Sequence, residues 1–253
     1  MSEQSLQGDP ASPSVGRWRR VVLKISGEAL ASAASDETID AATVGRLAKE
    51  IATSCSELGT EMAVVVGGGN IWRGTTGAGE GMDRAASDTM GMLGTVINAL
   101  ALQDALERAG QPTRVLSAVQ MAQVCEPYIR RRALRHLEKG RVVILAAGMG
   151  SPYFTTDTPA ALRAAEIEAE VIMKGTHSGV DGVYSADPRV EPDAVRYERI
   201  GFMDVISQDL RVMDMTAIAF CRDNQIPILV FDIMQPGNVR AALAGEQIGT
   251  LIS

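Results

Sequence analysis

Two lysines, each at the end of an apolar segment, give the clearest chemical signal in the sequence. Lys24 follows Val21-Val22-Leu23 and Lys174 follows Val171-Ile172-Met173, and both runs are typical of strands buried on both faces. Because the carboxyl ends of parallel strands share one edge of a sheet, both ammonium groups would point into one crevice. The alternative is that each lysine reaches solvent along its apolar stem, although Gly27 beside Lys24 favours the crevice.

A run of glycines marks a second group of residues that could hold an anion. Gly67, Gly68 and Gly69 follow the apolar segment 63–66. Because these residues lack Cβ atoms, their backbone N–H groups can approach an anion closely, and Arg73 would be a natural clamp for phosphate. The alternative is a tight turn between a strand and a helix, followed by a solvated arginine.

Hydroxyl and carboxyl groups occur at two further places. Thr155 and Thr156 lie in a glycine-bearing loop after another apolar segment, and Asp157 is placed to cap the helix that would follow. A plain capping loop is the alternative, but a second glycine-bearing loop at the same end of the sheet favours a joint site. Asp88, near the start of a long helical pattern, is either a partner of the helix dipole or a carboxylate directed at a substrate hydroxyl.

The elements that must position these groups alternate along the chain. Hydrophobic periodicity predicts an α/β protein with a mainly parallel sheet. The predicted strands are 21–25, 63–66, 113–118, 142–147, 171–174, 228–231 and 248–251, and the predicted helices are 38–58, 84–109, 127–139, 158–169, 210–224 and 236–244. Residues 74–81 are predicted to form a flexible glycine-rich loop, and residues 181–188 a short β excursion with tight turns.

Length and composition limit the number of domains. A chain of 253 residues suits one large α/β domain or two small ones. Residues 1–17 are rich in Ser, Gly, Pro and Gln and are predicted to be a disordered tail. Residues 18–253 are predicted to be a single domain, with an acceptor lobe at about 18–155 and a nucleotide lobe at about 156–253.

Charge and cysteine content narrow the class of protein. A net charge of −7 argues against nucleic acid as the main partner. Cys55, Cys125 and Cys221 form no CxxC or Cys/His cluster, so neither a disulfide framework nor a zinc site is indicated. The sequence has no apolar run of about 18 residues, the length of a membrane span, and no signal-peptide pattern. These features predict a cytoplasmic protein without a membrane partner.

Lysines, an arginine, glycine loops and acidic groups together suit phosphoryl transfer, in which positioning and charge neutralisation do most of the work. The sequence contains no GxxxxGK[ST] phosphate loop and no H-R-D…D-F-G set, which excludes the two commonest kinase folds. Neither His136 nor His177 has a Ser or Cys partner that would indicate a hydrolytic triad.

Six segments carry a resemblance that covers residues 21–252. They are LKISGEAL at 23–30, VVGGGNIWRG at 65–74, DTMGMLGTVINALAL at 88–102, GSPYFTTDTPA at 150–160, DGVYSADP at 181–188 and VMDMTA at 212–217. The first two occur loosely across the amino-acid-kinase superfamily, whereas the DTMGML and FTTD runs are more specific to its uridylate (UMP) kinases. The chain therefore resembles this family, which implies a three-layer α/β/α sandwich and transfer of the γ-phosphoryl group of MgATP to UMP.

The resemblance also implies roles for individual residues. The catalytic residues would be Lys24, Lys174 and Arg73. The ATP-binding residues would be Lys24, Ile25, Ser26, Gly27, Gly69, Arg73, Thr176, Tyr184 and Asp187. The UMP-binding residues would be Gly68, Asp88, Met149, Gly150, Ser151, Pro152, Tyr153, Phe154, Thr155 and Thr156. Mg²⁺ would enter with ATP and no protein metal site is expected; a homohexamer, inhibition by UTP and activation by GTP are further implications.

The sequence is compatible with two other functions. A kinase of the same fold could act on a carboxylate or carbamate, but such acceptors need no aromatic wall, and Tyr153-Phe154 argues against them. A nucleotide sensor could keep the fold and lose the chemistry, which would be indicated by loss of a lysine or of the glycine run. Both lysines and all three glycines are present.

Overall fold

The computed structural model describes residues 16–32, 37–79, 81–177 and 179–253. The strands are β1 (Arg20–Ile25), β2 (Glu61–Val66), β3 (Thr113–Ser117), β4 (Glu126–Pro127), β5 (Val142–Ala146), β6 (Val171–Thr176), β7 (Val183–Tyr184), β8 (Arg196–Tyr197), β9 (Arg199–Ile200), β10 (Ile228–Asp232) and β11 (Thr250–Ile252). The helices are α1 (Ala41–Leu58), α2 (Gly74–Gly79), α3 (Arg84–Arg108), α4 (Arg130–Leu137), α5 (Asp157–Glu166), α6 (Phe202–Ser207), α7 (Met215–Asp223) and α8 (Asn238–Ala244), and a 3₁₀ turn covers Gly27–Leu30.

Nine strands form one sheet in the order β4-β3-β5-β2-β1-β6-β10-β11-β9. The neighbours from β4 to β10 are parallel, β11 is antiparallel to β10, and β9 is parallel to β11. The central strands read as continuous apolar runs because helices cover both of their faces. β7 and β8 form a separate antiparallel hairpin. The expected α/β/α sandwich around a mainly parallel sheet is confirmed.

Alternate residues of each central strand face different helical layers. Val21, Leu23 and Ile25 of β1 pack with α1, α3 and α8, whereas Val22 packs with α4, α5 and α7. Side chains alternate between the faces of a strand, so Lys24 lies on the same face as Val22. This alternation places the Lys24 ammonium group on the side of α5.

Aspartate side chains cap the amino termini of three helices. The carboxylates of Asp40, Asp83 and Asp214 accept hydrogen bonds from the N–H groups of the first turns of α1, α3 and α7. Gly59 ends α1 in the left-handed conformation, with φ 64°, which glycine adopts without a Cβ penalty. None of the helices in the described ranges is long and apolar enough to cross a membrane.

Several local predictions were wrong. Residues 74–79 form α2 rather than a flexible loop; this glycine-rich segment packs on α3, and a Cβ at Gly77 would collide with Ser87 and Trp72. The predicted helix 210–224 begins only at Met215, after a turn, and α6 precedes it. Tertiary packing outweighed local propensity in these segments.

The predicted boundary of the tail also differs from the structure. The N–H groups of Gly16 and Arg17, which the prediction placed in the tail, donate to the carbonyl oxygens of Leu58 and Leu243. These hydrogen bonds fasten the two residues to the ends of α1 and α8. The rest of the predicted tail, residues 1–15, lies outside the described residues.

Candidate active site

The candidate site lies where the order of the sheet reverses. From β1 the chain continues through α1 to β2 on one side, and from β6 it reaches β10 on the other side. Open α/β sheets bind ligands in the crevice beyond the carboxyl ends of the strands at such a switch point. Lys24 and Lys174 are direct partners in the β1–β6 register, so the structure brings both lysines together in this crevice.

Asp157 joins the two lysines, and Lys24, Lys174 and Asp157 together form the lysine cluster. Its Oδ1 atom lies 2.7 Å from the Lys24 Nζ atom, and its Oδ2 atom lies 3.3 Å from the Lys174 Nζ atom. The sequence predicted that Asp157 caps α5, but Asp157 is the first residue of that helix and Thr156 occupies the cap position. A carboxylate at this position also interacts favourably with the helix dipole.

The charges of this cluster strongly affect its protonation. Burial, together with the neighbouring Lys24 ammonium group, lowers the pKa of Lys174 to about 8, although Asp157 and Asp214 oppose the shift. Burial alone would raise the pKa of Asp157, but the two ammonium groups outweigh it and hold that pKa below its usual value. Asp157 is therefore ionised at neutral pH, whereas Lys174 titrates close to it.

Asp214 fastens the loop before α5 to the start of α7. Its carboxylate accepts hydrogen bonds from the Thr155 hydroxyl at 2.6 Å and from the Thr158 hydroxyl at 2.9 Å. The Asp214 N–H group donates to Asp157 at 3.3 Å, and Lys174 Nζ donates to the carbonyl oxygen of Val212. The segment before α7 thus bonds both to Lys174 and to Asp157 of the lysine cluster.

Two cavities meet at Lys24 and Ser26. The larger has a volume of about 700 Å³ and includes Lys174. Its wall also contains three of the residues expected to bind ATP, Thr176, Tyr184 and Asp187. The smaller has a volume of about 300 Å³, and its wall contains Gly27, Gly68, Gly69, Arg73, Asp88, Met149, Ser151, Phe154, Thr155 and Thr156. The lysine cluster therefore lies between a larger and a smaller pocket.

The polar groups of the three residues in the larger cavity already have protein partners. The Thr176 hydroxyl bonds to the carbonyl oxygens of Val180 and Phe231, and the Tyr184 hydroxyl donates to Asp181 at 2.7 Å. Asp187 accepts two hydrogen bonds from the Arg189 guanidinium group, at 3.0 and 2.9 Å. A nucleotide at these groups would share them with the protein partners that they already have.

The predicted phosphate clamp, Arg73, lies in the smaller cavity and forms an ion pair with Glu28. Glu28 also accepts a hydrogen bond from the Ser26 hydroxyl. Burial alone would raise the pKa of Glu28, but the Ser26 hydrogen bond and the Arg73 charge outweigh it and lower that pKa. A Cβ at Gly69 would collide with the same carboxylate. An ionised carboxylate thus lies among the groups that were expected to bind phosphate.

Asp88 holds the tip of the loop after β5. Its Oδ2 atom accepts hydrogen bonds from the Arg84 side chain at 2.8 Å and from the Tyr153 N–H group at 2.9 Å. Tyr153 is 65% exposed, and the centre of its ring lies 5.9 Å from the Arg84 guanidinium carbon. Phe154, rather than Tyr153, therefore supplies an aromatic wall to the smaller cavity.

Three other expected site residues, Ile25, Gly150 and Pro152, contribute no side chain to the described wall of either cavity. Ile25 is fully buried on the α1 face of the sheet, so only its main chain can reach a ligand. Gly150 has a φ of 74° and packs against the carbonyl oxygen of Ala118. Pro152 continues the loop without lying in the described wall of either cavity.

Sequence reasoning missed the acidic groups of the site. Asp157 was assigned to a helix cap, Asp214 was noted only within the VMDMTA segment, and Glu28 only within LKISGEAL. The signal that could have found them is charge balance, since buried lysines and arginines require carboxylate partners. No spacing along the chain shows which carboxylates those are.

A switch-point crevice with paired lysines, a bridging aspartate and glycine loops defines a phosphotransferase of the α/β class. A family model described as the amino acid kinase family matches residues 19–232, and the chain belongs to this family. Two solved bacterial structures are similar to it. UMP kinase from Bacillus anthracis is 39% identical, with a TM-score of 0.89 over 93% of this chain and 96% of that one. UMP kinase from Ureaplasma parvum is 41% identical, with a TM-score of 0.87 over 94% and 99%.

An archaeal structure matches less closely. Uridylate kinase from Archaeoglobus fulgidus is 28% identical to this chain, with a TM-score of 0.69 over 92% of this chain and 99% of that one. All three similar structures cover more than nine tenths of this chain.

Proposed function

We propose that this chain is a UMP kinase, which transfers the γ-phosphoryl group of ATP to UMP and so supplies UDP for the synthesis of UTP and CTP. An oxygen of the UMP phosphate would form a bond to the γ-phosphorus, while the bond from that phosphorus to the β,γ-bridging oxygen breaks and ADP leaves. The acceptor phosphate is itself the nucleophile, so no covalent intermediate with the protein is required.

The observation that carries this proposal is the position of the lysine cluster between the two cavities. The larger cavity would hold ATP and the smaller would hold UMP, with Phe154 against the base and Asp88 at the ribose. Lys24 contributes to both walls, and Lys174 to the larger, so their charges would stabilise the phosphoryl oxygens during transfer. Arg73 and the N–H groups of Gly68 and Gly69 would hold phosphate groups.

Magnesium fits this site as a companion of ATP. In the described ranges, no group of three or more His, Cys, Asp or Glu side chains could hold a metal ion. Mg²⁺ commonly binds through substrate phosphates with few protein ligands, so the phosphate oxygens of ATP would supply most of its ligands. The bound ion would neutralise charge on the phosphates, while the lysines orient them.

The family resemblance supports four further parts of the proposal. They are a homohexamer, inhibition by UTP, activation by GTP and a cytoplasmic location. Exposed apolar residues on α3, namely Met90, Leu93 and Ile97, support a contact between subunits. The free thiols of Cys55, Cys125 and Cys221 suit a reducing compartment.

The proposal can be tested by a coupled assay of ADP release with MgATP and, separately, UMP, CMP, AMP or glutamate. We expect turnover with UMP. Lys24→Ala should abolish it and leave the fold intact, and the exposed Lys139→Ala serves as the matched control. Turnover with glutamate alone would show that the smaller cavity is an amino-acid site. Saturable nucleotide binding without turnover of any acceptor would show that the protein is a sensor.

A further inference from the structure

One face of α3 touches the backbone of two loops that form the smaller cavity. Asp88, Thr95 and Asn98 follow one another at intervals of seven and three residues, which places them on one side of the helix. Asp88 reaches the tip of the loop after β5, as described above. Thr95 and Asn98 reach the starts of the loops after β5 and β2.

Thr95 fastens the loop after β5 at its first residue. The Thr95 hydroxyl accepts a hydrogen bond of 2.7 Å from the Ala147 N–H group and donates one of 2.7 Å to the carbonyl oxygen of Met92. Thr95 is 3% exposed, and Ala147 is fully buried. The hydroxyl proton is therefore used within the protein, and none is left to donate to a ligand.

The backbone beyond Ala147 needs such a fastening. Ala147 has a φ of 61°, and Gly148, Gly150 and Tyr153 also have positive φ values, of 56°, 74° and 71°. Left-handed conformations at Ala and Tyr are unfavourable and persist only where the surroundings impose them. The bonds from Thr95 and Asp88 hold this segment at both of its ends.

Asn98 fastens the glycine loop after β2 in a similar way. Its side-chain amide donates hydrogen bonds of 2.7 Å to the carbonyl oxygen of Gly67 and to the side chain of Asn70, and it accepts one of 3.1 Å in return from Asn70. Asn98 is fully buried. Between these bonds, Gly68 lies so close to α3 that a Cβ would be 2.5 Å from the carbonyl oxygen of Gly91.

We propose that Thr95 and Asn98 are positioning residues that make α3 the common support of both loops around the acceptor pocket. The inference rests on the proposed function for the identity of the acceptor, UMP, but not for the geometry. Because the loop after β5 that Thr95 fastens contributes to the wall of the smaller cavity and not to the described wall of the larger one, loss of the Thr95 bond should affect UMP and leave ATP binding nearly unchanged.

The test compares Thr95→Val, which keeps the shape of the side chain and removes the hydroxyl, with Thr95→Ser, which keeps the hydroxyl. Thr89→Val is the matched control, because the exposed Thr89 hydroxyl donates to the carbonyl oxygen of Ala85 in the same helix and bonds to neither loop in the described part of the chain. In Thr95→Val the buried Ala147 N–H group loses its partner. We expect KM for UMP to rise about tenfold or more, KM for ATP to change less than about twofold, and both other variants to behave as wild type.

Hydrogen exchange supplies a readout that is independent of activity. In the wild-type protein without ligands, the amide of Ala147 should exchange slowly, and in a folded Thr95→Val variant peptides covering 147–154 should exchange faster. Rapid exchange at Ala147 in the wild type would overturn the proposal even if the valine variant does not fold. Equal increases in both KM values would also overturn it. If wild type does not phosphorylate UMP, the proposed function fails, and the exchange data still decide whether Thr95 holds the loop.

Discussion

Replacing Asp157 by asparagine should move the alkaline limb of the pH–rate profile to lower pH. In the wild-type protein the pKa of Lys174 falls from its ordinary value of 10.5 to about 8, which corresponds to about 3 kcal/mol of disfavoured charge. Above that pH the free enzyme loses one of the two cations that would meet the ATP phosphates. We therefore expect kcat/KM for ATP, which reports the groups of the enzyme before ATP binds, to decline as the pH rises through about 8.

The size of the shift in the variant follows from the distance between the charges. The Asp157 Oδ2 atom lies 3.3 Å from Lys174 Nζ, and a charge pair at about 4 Å is stabilised by about 4 kcal/mol at an effective dielectric constant of about 20. If only a third of this is lost in Asp157→Asn, the pKa of Lys174 falls by about one further unit. The alkaline limb should then be centred at about pH 7 or below.

The assay is the coupled measurement of ADP release with saturating UMP, at several ATP concentrations and at pH values from 6 to 9.5. Asp223→Asn is the control, because Asp223 pairs with Arg222 at 2.7 Å on the surface, and its profile should match that of the wild type. Lys174→Arg should have no limb near pH 8, since a guanidinium group does not titrate there. An unmoved limb in Asp157→Asn, or the same limb in Lys174→Arg, would refute the reasoning.

The same shift has a defined effect on stability. Between about pH 8 and 10.5 the unfolded chain binds more protons at Lys174 than the folded chain. The contribution of this group to the free energy of unfolding therefore rises with pH across that window. Below about pH 8 both states are protonated, and the folded state carries the full unfavourable charge.

Two further substitutions test the loops of the site. Gly68→Ala places a Cβ 2.5 Å from the Gly91 carbonyl oxygen and 2.9 Å from the Thr95 nitrogen, so KM for UMP should rise about tenfold or more. Gly45→Ala is the control, because the space around its Cβ is open. Equal kinetics in both variants would contradict the packing argument. Glu28→Gln removes the charge that pairs with Arg73, so inorganic pyrophosphate should bind severalfold more tightly by calorimetry at low salt. Glu57→Gln, from a surface pair with Arg240 at 3.1 Å, should have no effect, and unchanged binding in Glu28→Gln would show that Glu28 does not compete for the anion.

Much of the fold could be predicted because its signals are local. Strands β1, β2, β5 and β6 are apolar runs ended by lysine or small residues, and parallel sheets buried on both faces require such runs. The strands that were missed, such as β4, β8 and β9, are two residues long. Pairing with a neighbouring strand, rather than any periodic pattern, defines them.

The candidate site could be predicted in its cations and glycines but not in its partners. Lys24, Lys174 and the run Gly67–Gly69 stand out because each breaks the pattern around it. Asp157 and Asp214 do not, since an acidic residue before a helix is ordinarily a cap. Asp214 is a cap, but its carboxylate also accepts hydrogen bonds from Thr155 and Thr158.

The sequence by itself determined which strands are buried, which loops contain glycine and which strands end in a cation, because these properties depend on neighbouring residues. Only the tertiary structure decided that Lys24 and Lys174 are register partners, that Asp157 bridges them and that Arg73 forms an ion pair with Glu28. The physical reason is that a buried charge is stabilised by the partner that lies nearest in space, whatever its position in the sequence. Lys24 and Asp157 are 133 positions apart in the sequence, and they meet only because β1 and α5 pack together.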